Sequence, residues 1–135
     1  MTSHGFITLT SGVLGPCLAK LGFTVDPPKL SGRECSATFS SERHVVQVSF
    51  EPGDGMLLVL LRTRTQEGLS EFDDVRASPR LADLNTRYMP RVTHEERKAV
   101  EQATSTFKAE DRDELLLLKA VKELCLVLPH HLAGA

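Results

Sequence analysis

Residues Met56–Leu61, "MLLVLL", form the longest uninterrupted aliphatic run in the chain. They follow His44–Glu51, where apolar residues recur at alternate positions, a pattern that predicts a strand. Successive side chains of a strand point to opposite faces, so the unbroken run is apolar on both faces. The run therefore predicts a strand whose two faces must both be buried. Helices can cover one face, and the other needs a segment of the same chain, such as a helix over Ser78–Tyr88, a second subunit or a partner protein.

The loop "PGDG", which precedes this run, has two possible interpretations. A phosphate-binding loop needs the pattern G-x-x-x-x-G-K-[ST] followed by a helix, and here a strand follows. Asp54-Gly55 between two alternating segments instead indicates a hairpin, because glycine adopts positive φ without steric cost. Cys35, Ala37 and Phe39 alternate with polar residues upstream, so we expect an antiparallel meander of three or four strands.

The N-terminal segment has the periodicity of a helix. Apolar residues recur at intervals of three and four from Phe6 to Leu21, and Gly22 is well placed to end the helix. Pro16 either begins its regular part or kinks a longer helix. The connector "TVDPPKLSG" contains two prolines and is predicted not to pair regularly.

The second half of the chain is predicted to be helical. Ser78 before Pro79 indicates one helix start, Thr93 with Glu96 forms a capping-box pattern, and Asp111 suggests a further start. Residues 94–128 therefore form either one long bent helix or two helices. We expect Pro129 to end the last helix and His130–Ala135 to form a flexible tail.

These patterns together predict a single α+β domain over residues 1–135. It consists of an N-terminal helix, a three- to four-stranded antiparallel meander sheet, and two to three C-terminal helices packed on the sheet.

Charge and composition exclude several classes of function. The 16 basic and 18 acidic residues give a net charge of −2, and arginines are interleaved with carboxylates, so we expect no nucleic-acid partner. The longest apolar run is too short to cross a membrane, and the N-terminal segment does not resemble a signal peptide. Cys17, Cys35 and Cys125 include no CxxC pair and lie in apolar contexts, which favours buried thiols and a cytoplasmic location.

No pattern in the sequence indicates catalysis. His94 opens "HEER", which lacks the second histidine of a metalloprotease helix, and the side chains of His130 and His131 diverge in any regular structure. The acidic residues near Asp111 favour a helix N-terminus. We therefore expect no catalytic residue, no cofactor and no metal site, and a protein that is not an enzyme.

The stretch "LGPCLAKLGF", which ends in Leu21-Gly22-Phe23, and the Asp54-Gly55 hairpin together resemble small uncharacterised bacterial α+β domains of the toxin-immunity type. This resemblance implies a non-enzymatic cytoplasmic protein-binding module that occludes a partner toxin. Such inhibitors often present acidic surfaces, so the expected partner contacts are Glu67, Glu71, Asp73 and Asp74. The alternatives are a homodimeric structural or regulatory protein and an enzyme whose site has no recognised motif.

Overall fold

The computed structural model describes residues 1–31, 34–52 and 54–134, and it is an α+β fold. Its helices are α1 (Ser3–Ile7), a π-helical segment (Thr8–Leu14), α2 (Gly15–Ala19), α3 (Leu81–Tyr88), a 3₁₀ turn (Met89–Arg91), α4 (His94–Thr104) and α5 (Arg112–Ala133). Its strands are β1 (Thr24–Val25), β2 (Lys29–Ser31), β3 (Glu34–Ser40), β4 (His44–Glu51), β5 (Met56–Thr65) and β6 (Gly68–Leu69). Within the described ranges, no helix is both long and apolar enough to cross a membrane.

The predicted meander is confirmed as β3–β4–β5, but the sheet has six strands, not three or four. Strands β1 and β2 both pair antiparallel with β3, and β6 pairs with the far end of β5. The connector predicted to be unpaired thus contributes two short strands. Pro27 and Pro28 lie between β1 and β2, where no ladder hydrogen bond is required of them.

One face of the sheet carries most of the core. Phe39, Val46 and Leu61 lie opposite one another on β3, β4 and β5, and all three are buried. The helices cover this face, and Leu117, Leu124 and other apolar residues of α5 belong to the same cluster. The alternation read from the sequence therefore identified the buried side of β3 and β4 correctly.

The loop before β5 is a hairpin turn, as predicted. Glu51 pairs with Met56, and Gly55 has a φ of 66°, a conformation that glycine adopts without strain. Gly53 lies outside the described residues.

The N-terminal helix is broken into three parts that pack against α5. Gly22, with a φ of 90°, ends it, and the Phe23 N–H bonds the Leu18 carbonyl at 3.1 Å, as predicted for a glycine stop. Near the start, a side chain at Gly5 would meet the Glu114 carboxylate of α5. The absence of a side chain at Gly5 therefore allows this close packing.

Two helices, not one bent helix, occupy residues 94–128. The Thr93–Glu96 capping box opens α4, and the Asp111 carboxylate accepts the Glu114 N–H at 2.8 Å to open α5, as predicted. The prediction that Pro129 ends the last helix, with His130–Ala135 as a tail, is wrong for residues 130–133, because α5 continues to Ala133. Ala135 lies outside the described residues. Leu132 packs against the core beyond the proline and helps to hold this last turn.

The predicted start of the first helix after the sheet, α3, is also wrong. Helix α3 begins at Leu81 rather than at Pro79, and the Asp83 carboxylate accepts the Arg80 N–H at 3.0 Å. Ser78 is buried and its hydroxyl contacts that of Ser70. This tertiary contact takes Ser78 away from the capping role that its position indicated.

The chain itself pairs with the outer edge of β5 and also buries part of its second face. Arg80 forms an isolated bridge with Leu60, and the Leu61 N–H bonds the Pro79 carbonyl at 3.0 Å. Leu60 is fully buried, whereas Met56, on the same face, is 65% exposed. On its second face, the apolar run is thus buried at Leu60 and exposed to solvent at Met56.

This gradient predicts unequal costs for two substitutions on one strand face. We expect Leu60→Ala to lower the free energy of unfolding by about 2–5 kcal/mol, because it leaves a cavity. Met56→Ala should cost less than about 0.5 kcal/mol, because most of its side chain is already in water. Urea denaturation of both variants measures the difference, and equal losses would contradict an intramolecular seal at Leu60.

Candidate functional site

The loop between β6 and α3 is closed at its base by buried hydroxyl groups. The Ser70 hydroxyl accepts the Thr63 N–H at 2.9 Å and donates to the Ala77 carbonyl at 3.1 Å. The Thr63 hydroxyl donates to the same carbonyl at 2.7 Å, and Ser78 contacts Ser70. Both ends of the loop are thereby fastened to β5, so residues 71–77 project as a defined surface feature.

The loop presents apolar side chains to solvent. Phe72 is 48% exposed and Val75 is 62% exposed, and each has an acidic neighbour in the sequence. The Arg80 guanidinium lies 4.9 Å from the centroid of the Phe72 ring, within the range of a cation–π contact. Phe72 is thus held in place and remains half accessible.

Phe72 lies over the second face of the sheet and borders two adjoining depressions. The larger, of about 580 Å³, reaches the hairpin end of β4 and β5, and the smaller has about 240 Å³. Leu58 and Met56 supply apolar lining to the larger depression, and Glu34 and Glu51 supply carboxylates. We call the larger depression, together with Phe72, the sheet groove.

The four predicted partner contacts are all exposed, but they do not form one cluster along the chain. Glu67 lies in the turn between β5 and β6, whereas Glu71, Asp73 and Asp74 lie in the loop before α3. Asp74 has an internal role, because its carboxylate accepts the backbone N–H of Arg76 at 3.1 Å. Glu71 and Asp73 flank Phe72 directly.

The sequence interpretation missed Phe72, Glu34 and Glu51 as site residues. A large aromatic residue inside the acidic stretch "SEFDDV" was the available signal for Phe72, since such a residue is normally buried. Glu34 and Glu51 gave no local signal, because only the sheet register brings them beside the same groove.

A second polar cluster lies at the opposite end of β4. The Tyr88 hydroxyl is 3.0 Å from Nδ1 of His131, and the rings of His44 and His131 meet edge to face at 6.2 Å between centroids. Burial lowers the pKa of His44 and also that of His131. These two imidazoles, distant in the sequence, therefore meet edge to face in a partly buried cluster with Tyr88.

The neighbouring histidine of α5 forms a different pair. Nε2 of His130 lies 2.7 Å from the Glu96 carboxylate, and this contact lowers the pKa of Glu96. The predicted tail is thus anchored to α4. Cys35 and Cys125 are buried as predicted, but Cys17 is only partly buried. In the part of the chain that the structure describes, no three potential ligands lie together as a metal site.

No family model, characterised protein or solved structure matches this chain.

The lowered histidine pKa values predict that stability depends on pH. An unfolded histidine titrates near pH 6.5, whereas folded His44 and His131 titrate at lower pH. Between these values the unfolded chain binds more protons than the folded one, so stability falls as the pH drops below about 6.5. Urea denaturation at about pH 7.5 and at lower pH measures this loss.

The double variant His44→Leu, His131→Gln should flatten this part of the profile. His94→Gln, at an exposed position, is the matched control and should keep the wild-type slope. An unchanged slope in the double variant would show that other groups cause the acid sensitivity.

Proposed function

We propose that the protein is a non-enzymatic protein-binding module that occludes a basic surface of a partner with the sheet groove and the loop before α3. The carrying observation is Phe72, a half-exposed aromatic residue that lies between Glu71 and Asp73 in the sequence and borders an apolar groove. An immunity-type inhibitor bound to a bacterial toxin that cleaves nucleic acid would act in this way.

The charge around the groove supports a basic partner. Glu34 and Glu51 line it, and Glu71 and Asp73 flank Phe72, against the single cation Arg80 among the residues lining the groove. Complementary charge accelerates association and selects the partner, while apolar anchors supply most of the affinity. A protein that binds nucleic acid presents such a basic surface.

The rigidity of the loop supports the same function. Its base is fixed by Ser70, Ser78 and Thr63, and Arg80 orients the Phe72 ring. A preformed contact surface loses less conformational entropy on binding than a mobile one. Phe72 therefore has the properties expected of a central anchor.

A second candidate function, a homodimer, is favoured by the edge of β5. Past the Arg80–Leu60 bridge, no described strand pairs with the outer edge of Met56–Val59. By the alternation of an antiparallel ladder, Leu57 and Val59 direct their backbone groups toward this edge. A second copy pairing there would extend the sheet, as exposed edges commonly allow.

Capture with matched variants tests the proposed partner surface. Proteins retained by the wild-type chain from its native lysate are compared with those retained by Phe72→Ala combined with Glu71→Lys and Asp73→Lys. We expect the specific partner to be lost, with affinity reduced by about a hundredfold or more, because an anchor and two complementary charges are removed. Calorimetry with the purified partner then measures its affinity for the wild type and for the variant.

The control carries equal charge changes elsewhere. Glu95→Lys with Glu101→Lys alters exposed positions of α4 and should leave the affinity unchanged. Equal binding by the groove variant and the wild type would overturn the assignment. Light scattering tests the homodimer. A mass of about 15 kDa at all protein concentrations would show a monomer and exclude it.

A further inference from the structure

A small cavity of about 330 Å³ opens between α3, the loop before it and the C-terminal end of α5. Its lining consists of Val75, Arg76, Pro79, Asp83, Leu84, Arg87 and His131. Two guanidinium groups and one imidazole therefore border a single cavity, together with one carboxylate. This cavity is separate from the sheet groove and shares no lining residue with it.

Tyr88 holds two of these groups in place. Its ring is buried, and its hydroxyl lies 3.0 Å from Nδ1 of His131. The Arg87 guanidinium carbon lies 5.4 Å from the centroid of the same ring. One rigid aromatic side chain thus positions a cation and an imidazole at the cavity before any ligand arrives.

Arg76, the second guanidinium of the lining, belongs to the loop whose base is fixed. The Arg76 N–H bonds the Asp74 carboxylate at 3.1 Å, and the Ser78 N–H bonds the Asp74 carbonyl at 2.6 Å. Within the described ranges, neither Arg76 nor Arg87 forms an ion pair. The one carboxylate of the lining, Asp83, accepts the Arg80 N–H and thereby caps α3.

We propose that this cavity binds the terminal phosphate of a small phosphorylated ligand. Arginine guanidinium groups match phosphate oxygens with paired N–H donors, and here two of them border the same space. A terminal phosphate offers three oxygens, one for each guanidinium and one for the imidazole. A carboxylate offers only two, so the phosphate uses the donor set more fully.

His131 supplies the third donor when the Tyr88 hydroxyl donates to Nδ1, and also when the ring is protonated. Its Nδ1 is engaged by Tyr88, and Nε2 has no partner in the part of the chain that the structure describes. In the neutral ring, a hydroxyl that donates to Nδ1 leaves the proton on Nε2, and the imidazolium carries a proton there as well. Nε2 is therefore a hydrogen-bond donor that the fold itself does not use.

Binding of an anion is coupled to the charge of His131. Burial, then His44 and Arg87, lowers the pKa of His131 in the free protein, and a bound dianion would raise it. Affinity for a dianion should consequently increase as the pH falls. The charged and titratable groups around the ring are His44 on β4, Tyr88, Asp83 and Arg87 on α3, Arg76 on the loop, and His130 on α5, which pairs with Glu96.

Calorimetric titration with phenyl phosphate tests the site. We expect saturable binding by the wild type, and affinity reduced about tenfold or more by Arg87→Gln and by Arg76→Gln. Arg76→Lys keeps the charge but loses the paired donors, so its affinity should lie between that of the wild type and that of Arg76→Gln. Arg97→Gln, which lies on α4 beside a different groove, is the matched control and should bind like the wild type.

The pH dependence of binding is measured with sulfate, because sulfate keeps two negative charges at every pH used. Its affinity should be higher at about pH 6 than at about pH 8 in the wild type, and His131→Gln should remove the difference. Thermal unfolding of each variant confirms that it is folded. The proposal is overturned if wild type and the Arg76→Gln, Arg87→Gln double variant bind phenyl phosphate equally, or if neither binds at about 10 mM.

A phosphodiester with one charge distinguishes a terminal phosphate from a nucleic-acid backbone. We expect a dinucleotide to bind more weakly than phenyl phosphate, because it offers fewer free oxygens and less charge. Tighter binding of the dinucleotide would overturn the assignment to a terminal phosphate.

Discussion

The burial of β5 on both faces governs where the neighbouring elements lie. Its first face joins the core under α5, and its second face buries Leu60. The segment that follows β6 returns to the outer edge of β5 and pairs with it at Arg80. That return path places Phe72 over the sheet and sets the start of α3. The sheet groove lies farther along the same face, where burial falls from Leu60 to Met56.

Local signals predicted much of the fold because they act within a few residues. The alternation in β3 and β4, the glycine stop at Gly22 and the Thr93 capping box each depend on neighbours in sequence, and each was confirmed. Strands β1, β2 and β6 have two or three residues each, too few for a pattern, and exist through pairing with longer strands.

Tertiary contacts explain the errors and the limits at the sites. Ser78 bonds Ser70 rather than capping a helix, and α5 continues past Pro129 because its last turn is held by packing and by Tyr88. The acidic residues of the loop were identified from the sequence, whereas the half-exposed position of Phe72 beside the sheet groove became apparent only with the fold. The cavity beside α3 brings together Arg76, Arg87 and His131 from three elements, so no spacing in the sequence could indicate it.

The contact between the N-terminal helix and α5 sets an order on folding during synthesis. Phe6 and Leu9 are fully buried in the same cluster as Leu117, and the Met1 ammonium lies 2.6 Å from the Asp111 carboxylate. The N-terminal helical segment therefore cannot complete its packing until α5 has been synthesised. The meander β3–β4–β5, built from adjacent hairpins, can form in the meantime. Phe6 and Leu9 thus reach their full burial only when the two ends of the chain pack together, so the closing of this core joins its earliest and latest segments.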